Sequence, residues 1–182
     1  MRVVPIVLLV ATASLPGFAQ KWNPFENLGP DIPTPQSIVE RMLDAGRVTH
    51  EDTVYDLGSG DGRVVITAVQ RYGAHAVGVE FQPDLCRKAE QKIHSLGIQD
   101  RARIIEDSVF RVDLSPATVV TMFFLTSSNE RLRPNLEKYL KPGARVVSNQ
   151  FPIKGWKPES VVHAKTGTME HTIYVYEMGR IH

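Results

Sequence analysis

The residues with the clearest chemical potential lie in Val54–Tyr55–Asp56–Leu57–Gly58–Ser59–Gly60–Asp61–Gly62–Arg63. An apolar run delivers an acid, glycines follow at alternate positions, and an amphipathic run begins. Glycine there lets the backbone approach a ligand at the carboxyl end of a strand without a Cβ in the way. Glu80 ends the next apolar run and is placed to accept hydrogen bonds from ribose hydroxyls, while Asp107 ends the third, where an adenine amino group would come. A ligand of that description has a ribose and a base, but the acids Asp56 and Asp61 are poor company for a pyrophosphate. The dinucleotide fingerprint G-x-G-x-x-G fails because Arg63 stands where its last glycine belongs, and no P-loop, G-x-S-x-G or H-E-x-x-H occurs. A cationic nucleoside bearing an amino acid fits best.

The surrounding pattern alternates strand and helix. Thr34–Pro35 reads as a helix N-cap with proline at the first helical position, and Ile38, Val39, Met42 and Leu43 form one apolar face before Gly46. Strand runs are predicted at Thr53–Leu57, Ala76–Val79, Arg103–Ile105, Thr118–Leu125 and Arg145–Ser148. Helices are predicted around 64–72, 85–96 and 132–140. Two β-rich runs, Val161–Val162 and Thr172–Tyr176, flank a hairpin loop at 165–170. Alternation of this kind predicts an α/β fold, a doubly wound and mostly parallel sheet.

The motifs DIPTP (31–35), DLGSGDGR (56–63), LRPNL (132–136) and LKPGARVVS (140–148), with the Thr118–Leu125 strand, resemble the class I, seven-strand S-adenosylmethionine-dependent methyltransferases. Within them the chain is similar to the group holding the ATP synthase c-subunit lysine methyltransferase and its small prokaryotic relatives, over about Asp31 to Lys157. The resemblance implies seven strands in the order 3-2-1-4-5-7-6, the last strand antiparallel, with S-adenosylmethionine over strands 1 to 3. It implies that Asp56, Gly58, Ser59, Gly60, Asp61 and Gly62 surround the methionine part, Glu80 holds the ribose, Asp107 and Ser108 flank the adenine, and Thr34 closes over the cofactor. It also implies in-line methyl transfer to a protein lysine. A small-molecule methyltransferase and a catalytically silent binding module are the alternatives. The family pattern often places a histidine after the serine of strand 5, whereas Asn149 follows Ser148 here. No catalytic base is assigned.

Candidate acceptor-side residues are Phe124, Asn149, Phe151 and Trp156, the last beside Gly155 in an expected loop. No N-P-P-Y motif follows strand 4, and a net charge of +1 gives no footprint for a nucleic-acid partner. Residues 131–165 hold eight basic side chains against Glu137 and Glu159, a face that could meet an anionic membrane surface. The six histidines show no metal-ligand spacing, so no metal is expected, and the lone Cys86 excludes an intrachain disulfide.

The N-terminus reads separately. Arg2, the apolar run Val3–Ala13 and the small residues Gly17 and Ala19 have the form of an export signal over residues 1–19, too short for a comfortable membrane span. Residues 20–30 then read as a linker and 31–182 as the methyltransferase domain. An exported product, periplasmic or extracellular, would be separated from cytosolic S-adenosylmethionine, and a cytosolic form remains the alternative.

Overall fold

The computed structural model describes Leu28 and residues 32–182. The expected signal peptide, and all of the expected linker except Leu28, lie outside the described residues. Leu28 is buried, and its carbonyl accepts a hydrogen bond from Ser128 Oγ at 2.7 Å.

The described residues form seven strands and four helices in the order α1 (Gln36–Ala45), β1 (Thr53–Leu57), α2 (Arg63–Tyr72), β2 (His75–Glu80), α3 (Pro83–Ser95), β3 (Ala102–Glu106), β4 (Val119–Met122), α4 (Thr126–Tyr139), β5 (Arg145–Asn149), β6 (Ser160–Thr166) and β7 (Met169–Glu177). They form one sheet in the order β3-β2-β1-β4-β5-β7-β6. All ladders are parallel except those of β7, which runs antiparallel to both β5 and β6. Because β2 and β4 flank β1 on opposite sides, the chain reverses its direction of travel across the sheet there, and a crevice opens at the carboxyl ends of the strands.

Strand alternation divides the core in two. Val54, Val119, Val147, Ile173 and Val175 face α1 and α2; Tyr55, Leu57, Val120, Met122, Val146 and Tyr176 face α4 and the 107–118 segment. β1, β2, β4 and β5 are almost wholly buried, as strands covered on both faces must be, and each buried aliphatic side chain stabilises by roughly 1.5–3 kcal/mol.

Several expected boundaries move. Thr34 does not cap α1: Pro35 takes the N-cap position, without a side-chain cap, and its carbonyl accepts from the Ile38 and Val39 amides at 2.9 and 3.0 Å. The run 118–125 pairs as strand only over Val119–Met122, and Phe123–Leu125 turns away over the crevice. α4 starts at Thr126 rather than near 132 and carries Pro134 inside it, because the carbonyl left without a donor belongs to exposed Glu130, where water can reach it. The β6–β7 connection is shorter than expected, since the ladder runs on to the Thr166–Met169 pair.

Candidate active site

β1 carries Asp56 into the interior, where its carboxylate accepts from Thr121 Oγ1 of the neighbouring β4 at 2.7 Å. Burial, with Glu80 and Asp61 adding like charge, pushes the Asp56 carboxyl up to about 7 against the single Thr121 hydrogen bond. The loop after β1 is sewn to the end of β2. The Gly58 and Ser59 amides both donate to the Val79 carbonyl, at 2.8 and 3.1 Å. Glu80, itself buried, accepts from the Gly60 amide on Oε2 at 3.0 Å and from the Phe81 and Gln82 amides on Oε1, both at 2.9 Å. Three backbone donors thus hold this carboxylate at the crevice.

The loop glycines answer to different demands. A Cβ on Gly58 would meet the Phe124 ring at 2.9 Å, so the close approach there is to the protein's own side chain. A Cβ on Gly62 would press on Ala89 of α3 at 3.1 Å. Gly60, at φ +53°, has nothing within 4 Å of its would-be Cβ and faces open space. A fourth glycine, absent from the expected set, is the most constrained. At Gly78 in β2 a Cβ would lie 2.5 Å from Ser59 Oγ and 2.6 Å from Ile104 Cδ1. The only sequence signal was a glycine interrupting a strand run.

Asp61 does not offer a free carboxylate. Arg63 grips it with Nε and Nη2, both at 2.9 Å, and its Nη1 donates to the Thr34 carbonyl at 2.8 Å. The Arg63 hydrogen bonds hold the Asp61 carboxyl below the usual carboxylate range, against a lesser effect of burial. Thr34 therefore reaches the site through its backbone, tied to the loop by Arg63. Asp107 follows β3; its Oδ1 accepts from the Ser108 amide at 2.6 Å and from Arg111 Nε at 2.8 Å.

These groups line one cleft of about 280 Å³, walled by Asp56, Gly58, Ser59, Gly60, Asp61, Glu80, Asp107, Ser108 and Thr34 and closed by Leu28, Met122, Phe123 and Phe124. Gly62 is among the expected residues but not in the lining. Among the described residues, Arg63 is the one basic residue there, and it is committed to Asp61. Among the described residues no group of His, Cys, Asp and Glu is placed to hold a metal ion.

Of the four acceptor-side candidates, only Phe124 lines the cleft. Trp156 is 6% exposed, packs edge-on against Tyr176 and donates Nε1–H to Glu137 at 2.9 Å, so it is a core residue and not an entrance. Asn149 is fully buried, with its Oδ1 3.3 Å from His171 Nδ1, and is not in the lining. Phe151 lies one ring away from the cleft, stacked on Phe123 at 6.1 Å. The sequence gives no sign of the role of Thr121, whose partner lies 65 residues away, or of the tie from Arg63 to Thr34, which spans 29.

A family model described as the ANTKMT methyltransferase domain matches residues 56–160. The chain belongs to this methyltransferase family. A protein-lysine N-methyltransferase of Saccharolobus islandicus is 50% identical over 151 residues, spanning 82% of this chain and 94% of that protein. The mouse ATP synthase c-subunit lysine N-methyltransferase is 30% identical over 149 residues, 82% of this chain but 58% of the mouse protein, so the match spans little more than half of that relative. The crystal structure of an RNA methyltransferase from Salinibacter ruber with S-adenosyl-L-homocysteine superposes with a TM-score of 0.77 at 41% identity, covering 81% of this chain and 94% of that one.

This chain is thus an S-adenosylmethionine-dependent methyltransferase, and its cleft fits that cofactor. Among the described residues, Ser59 Oγ is buried without a partner at the loop, Gly60 leaves its side open, and the ionisable wall is acidic apart from one neutralised arginine. Such a wall suits a ligand bearing a sulfonium and an ammonium and no phosphate.

Proposed function

We propose that this methyltransferase acts on the ε-amine of lysine in a protein acceptor. When bound, S-adenosylmethionine supplies an electrophilic methyl group on sulfur. The observation carrying the reading is the mixed lining of the cleft: Asp56, Asp61, Glu80 and the loop backbone stand beside the apolar Leu28, Met122, Phe123 and Phe124. Asp56, Glu80 and the 58–62 backbone would hold and orient the cofactor, which is most of what a displacement of this type requires of the protein. The apolar side removes water from an entering lysine stem and favours the neutral amine, the form that can attack. The activity named for the Saccharolobus relative supports the same acceptor class.

RNA is the second reading, because the 41% identical Salinibacter protein is described as an RNA methyltransferase. The surface favours protein. Within the basic 131–165 region, Arg133, Arg145, Lys154 and Lys165 are ion-paired with Glu137, Asp52, Glu130 and Glu170. That pairing leaves less charge for phosphates, and it weakens the case for an anionic membrane surface as well. Incubating the protein with trideuteromethyl-labelled cofactor and either whole-cell protein or total RNA decides between them. Label on lysine is expected; label confined to nucleotides refutes the assignment.

Location belongs to the same reading. The apolar run 3–13 with Gly17 and Ala19 supports export with processing near Gln20. Among the described residues no helix is long and apolar enough to cross a membrane. Fractionation of the native host, with N-terminal sequencing of the product, tests this, and a cytosolic protein retaining Met1 overturns it.

A further inference from the structure

We propose that the strained turn Asn149–Gln150–Phe151, at the end of β5, is a positioning device for the methyl acceptor: gripped by α4 and β7, it seats the Phe151 ring on Phe123 so that the two rings guide the acceptor side chain at the cleft mouth. The inference rests on the lysine reading above and extends it to residues outside the cofactor's own contacts.

Gln150 has φ +69°, a conformation that residues other than glycine rarely adopt. The Phe151 amide donates back to the Asn149 carbonyl at 2.8 Å, closing a three-residue turn around it. Backbone strain of this kind persists only where surrounding contacts over-determine it, and functional sites are where it collects. Here the contacts come from three directions. From β7, the Thr172 carbonyl accepts from the Gln150 amide at 2.6 Å, and the Thr172 amide donates to Gln150 Oε1 at 3.2 Å. From β5, Ser148 Oγ donates to the Phe151 carbonyl at 2.6 Å. From α4, Asn129 Nδ2 donates to the same carbonyl at 3.1 Å.

The result of all this bracing is the placement of one ring. Phe151 lies nearly parallel to Phe123, 20° between planes and 6.1 Å between centroids, and Phe123 lines the cleft. A parallel pair of half-buried rings offers an apolar guide to an extended lysine stem at little entropic cost, since an aromatic side chain has few rotamers to lose. Asn129 is fully buried, yet its Oδ1 has no partner among the described residues. An unpaired buried acceptor works against stability, so the place of Asn129 rests on the Nδ2 contacts that hold the turn.

The test uses the full chain, poly-L-lysine as the acceptor probe, and calorimetric binding of S-adenosyl-L-homocysteine as the control. Phe151→Leu is expected to raise the acceptor KM about tenfold while S-adenosyl-L-homocysteine affinity stays within twofold. Asn129→Leu, and Gln150→Gly, whose backbone accepts the turn without strain, are each expected to raise KM three- to tenfold with kcat less affected. Asn129→Leu added to Phe151→Leu is expected to change KM no further, because Asn129 acts through that ring. An unchanged KM in Phe151→Leu, or effects of the two substitutions that multiply, overturns the positioning role. A wild-type protein that leaves poly-L-lysine unmodified overturns the lysine reading and this inference with it, so the two failures show in different proteins.

Discussion

Asp56→Asn is expected to stabilise the ligand-free protein at alkaline pH and to weaken its hold on the cofactor. The folded state raises this carboxyl from 3.8 to about 7, chiefly by burial. Between those values the folded protein binds a proton that the unfolded chain has released, so unfolding free energy falls as pH rises, by up to about 1.4 kcal/mol per pH unit. Over about three pH units this amounts to a penalty on the order of 4 kcal/mol, absent below pH 4 and complete above pH 7. Asparagine carries no charge and its Oδ1 can still accept from Thr121, so the variant escapes the penalty. Urea melts of both proteins at pH 4, 5.5, 7 and 8.5 read the effect as a stability difference that grows with pH and levels off above 7. The opposite sign governs binding. A cationic ligand draws on the ionised carboxylate, so wild-type affinity for S-adenosylmethionine rises as pH increases through 7, whereas that of Asp56→Asn is weaker and flat. Parallel stability profiles for the two proteins across this range would refute the buried-carboxylate argument.

Other expectations follow from single contacts. Gly78→Ala forces Ser59 or Ile104 to move, since its Cβ would lie 2.5 Å from Ser59 Oγ, and calorimetry should show a loss of cofactor affinity together with a lowered Tm. Gly60→Ala meets no neighbour and carries only the strain of φ +53°, on the order of 1 kcal/mol in a denaturant melt. Gly58→Ala, by contrast, drives into Phe124 and should destabilise more than Gly60→Ala. Glu80→Gln leaves three backbone donors sharing a weaker acceptor, and cofactor binding should weaken by about 1–3 kcal/mol in titration calorimetry. Burial works to raise the Asp52 carboxyl, but hydrogen bonds from Thr118 and Thr49 and the Arg145 charge together hold it below its usual value. Stability from that site is present above pH 4 and lost as pH falls through the folded value, so Asp52→Ala should lose about 3 kcal/mol at pH 7 and progressively less as pH falls below 4.

The spacing of Asp56, Gly58, Gly60, Gly62, Glu80 and Asp107 was enough to mark a strand-to-helix loop and the ends of two neighbouring strands, and the cleft does form there. That much is local: periodicity and glycine placement are written within stretches of ten residues, and parallel strands must present their ends together. The order of β5, β7 and β6 was implied by resemblance and not by spacing, since two β-rich runs in the tail admit several pairings. What each side chain does at the site was decided by contacts across the sheet. Asp56 is a proton-holding acid because the fold buries it beside Glu80, against the Thr121 hydrogen bond; Arg63 ties the Asp61 loop to Thr34; Gly58 is a seat for Phe124. Trp156 looked like an entrance because it follows a glycine, and the fold buries it against Tyr176. Distances between residues 30 to 65 positions apart depend on the register of the whole sheet, which no short segment encodes, and so the functional meaning of Thr121, Gly78, Asn129 and Gln150 exists only in the tertiary structure.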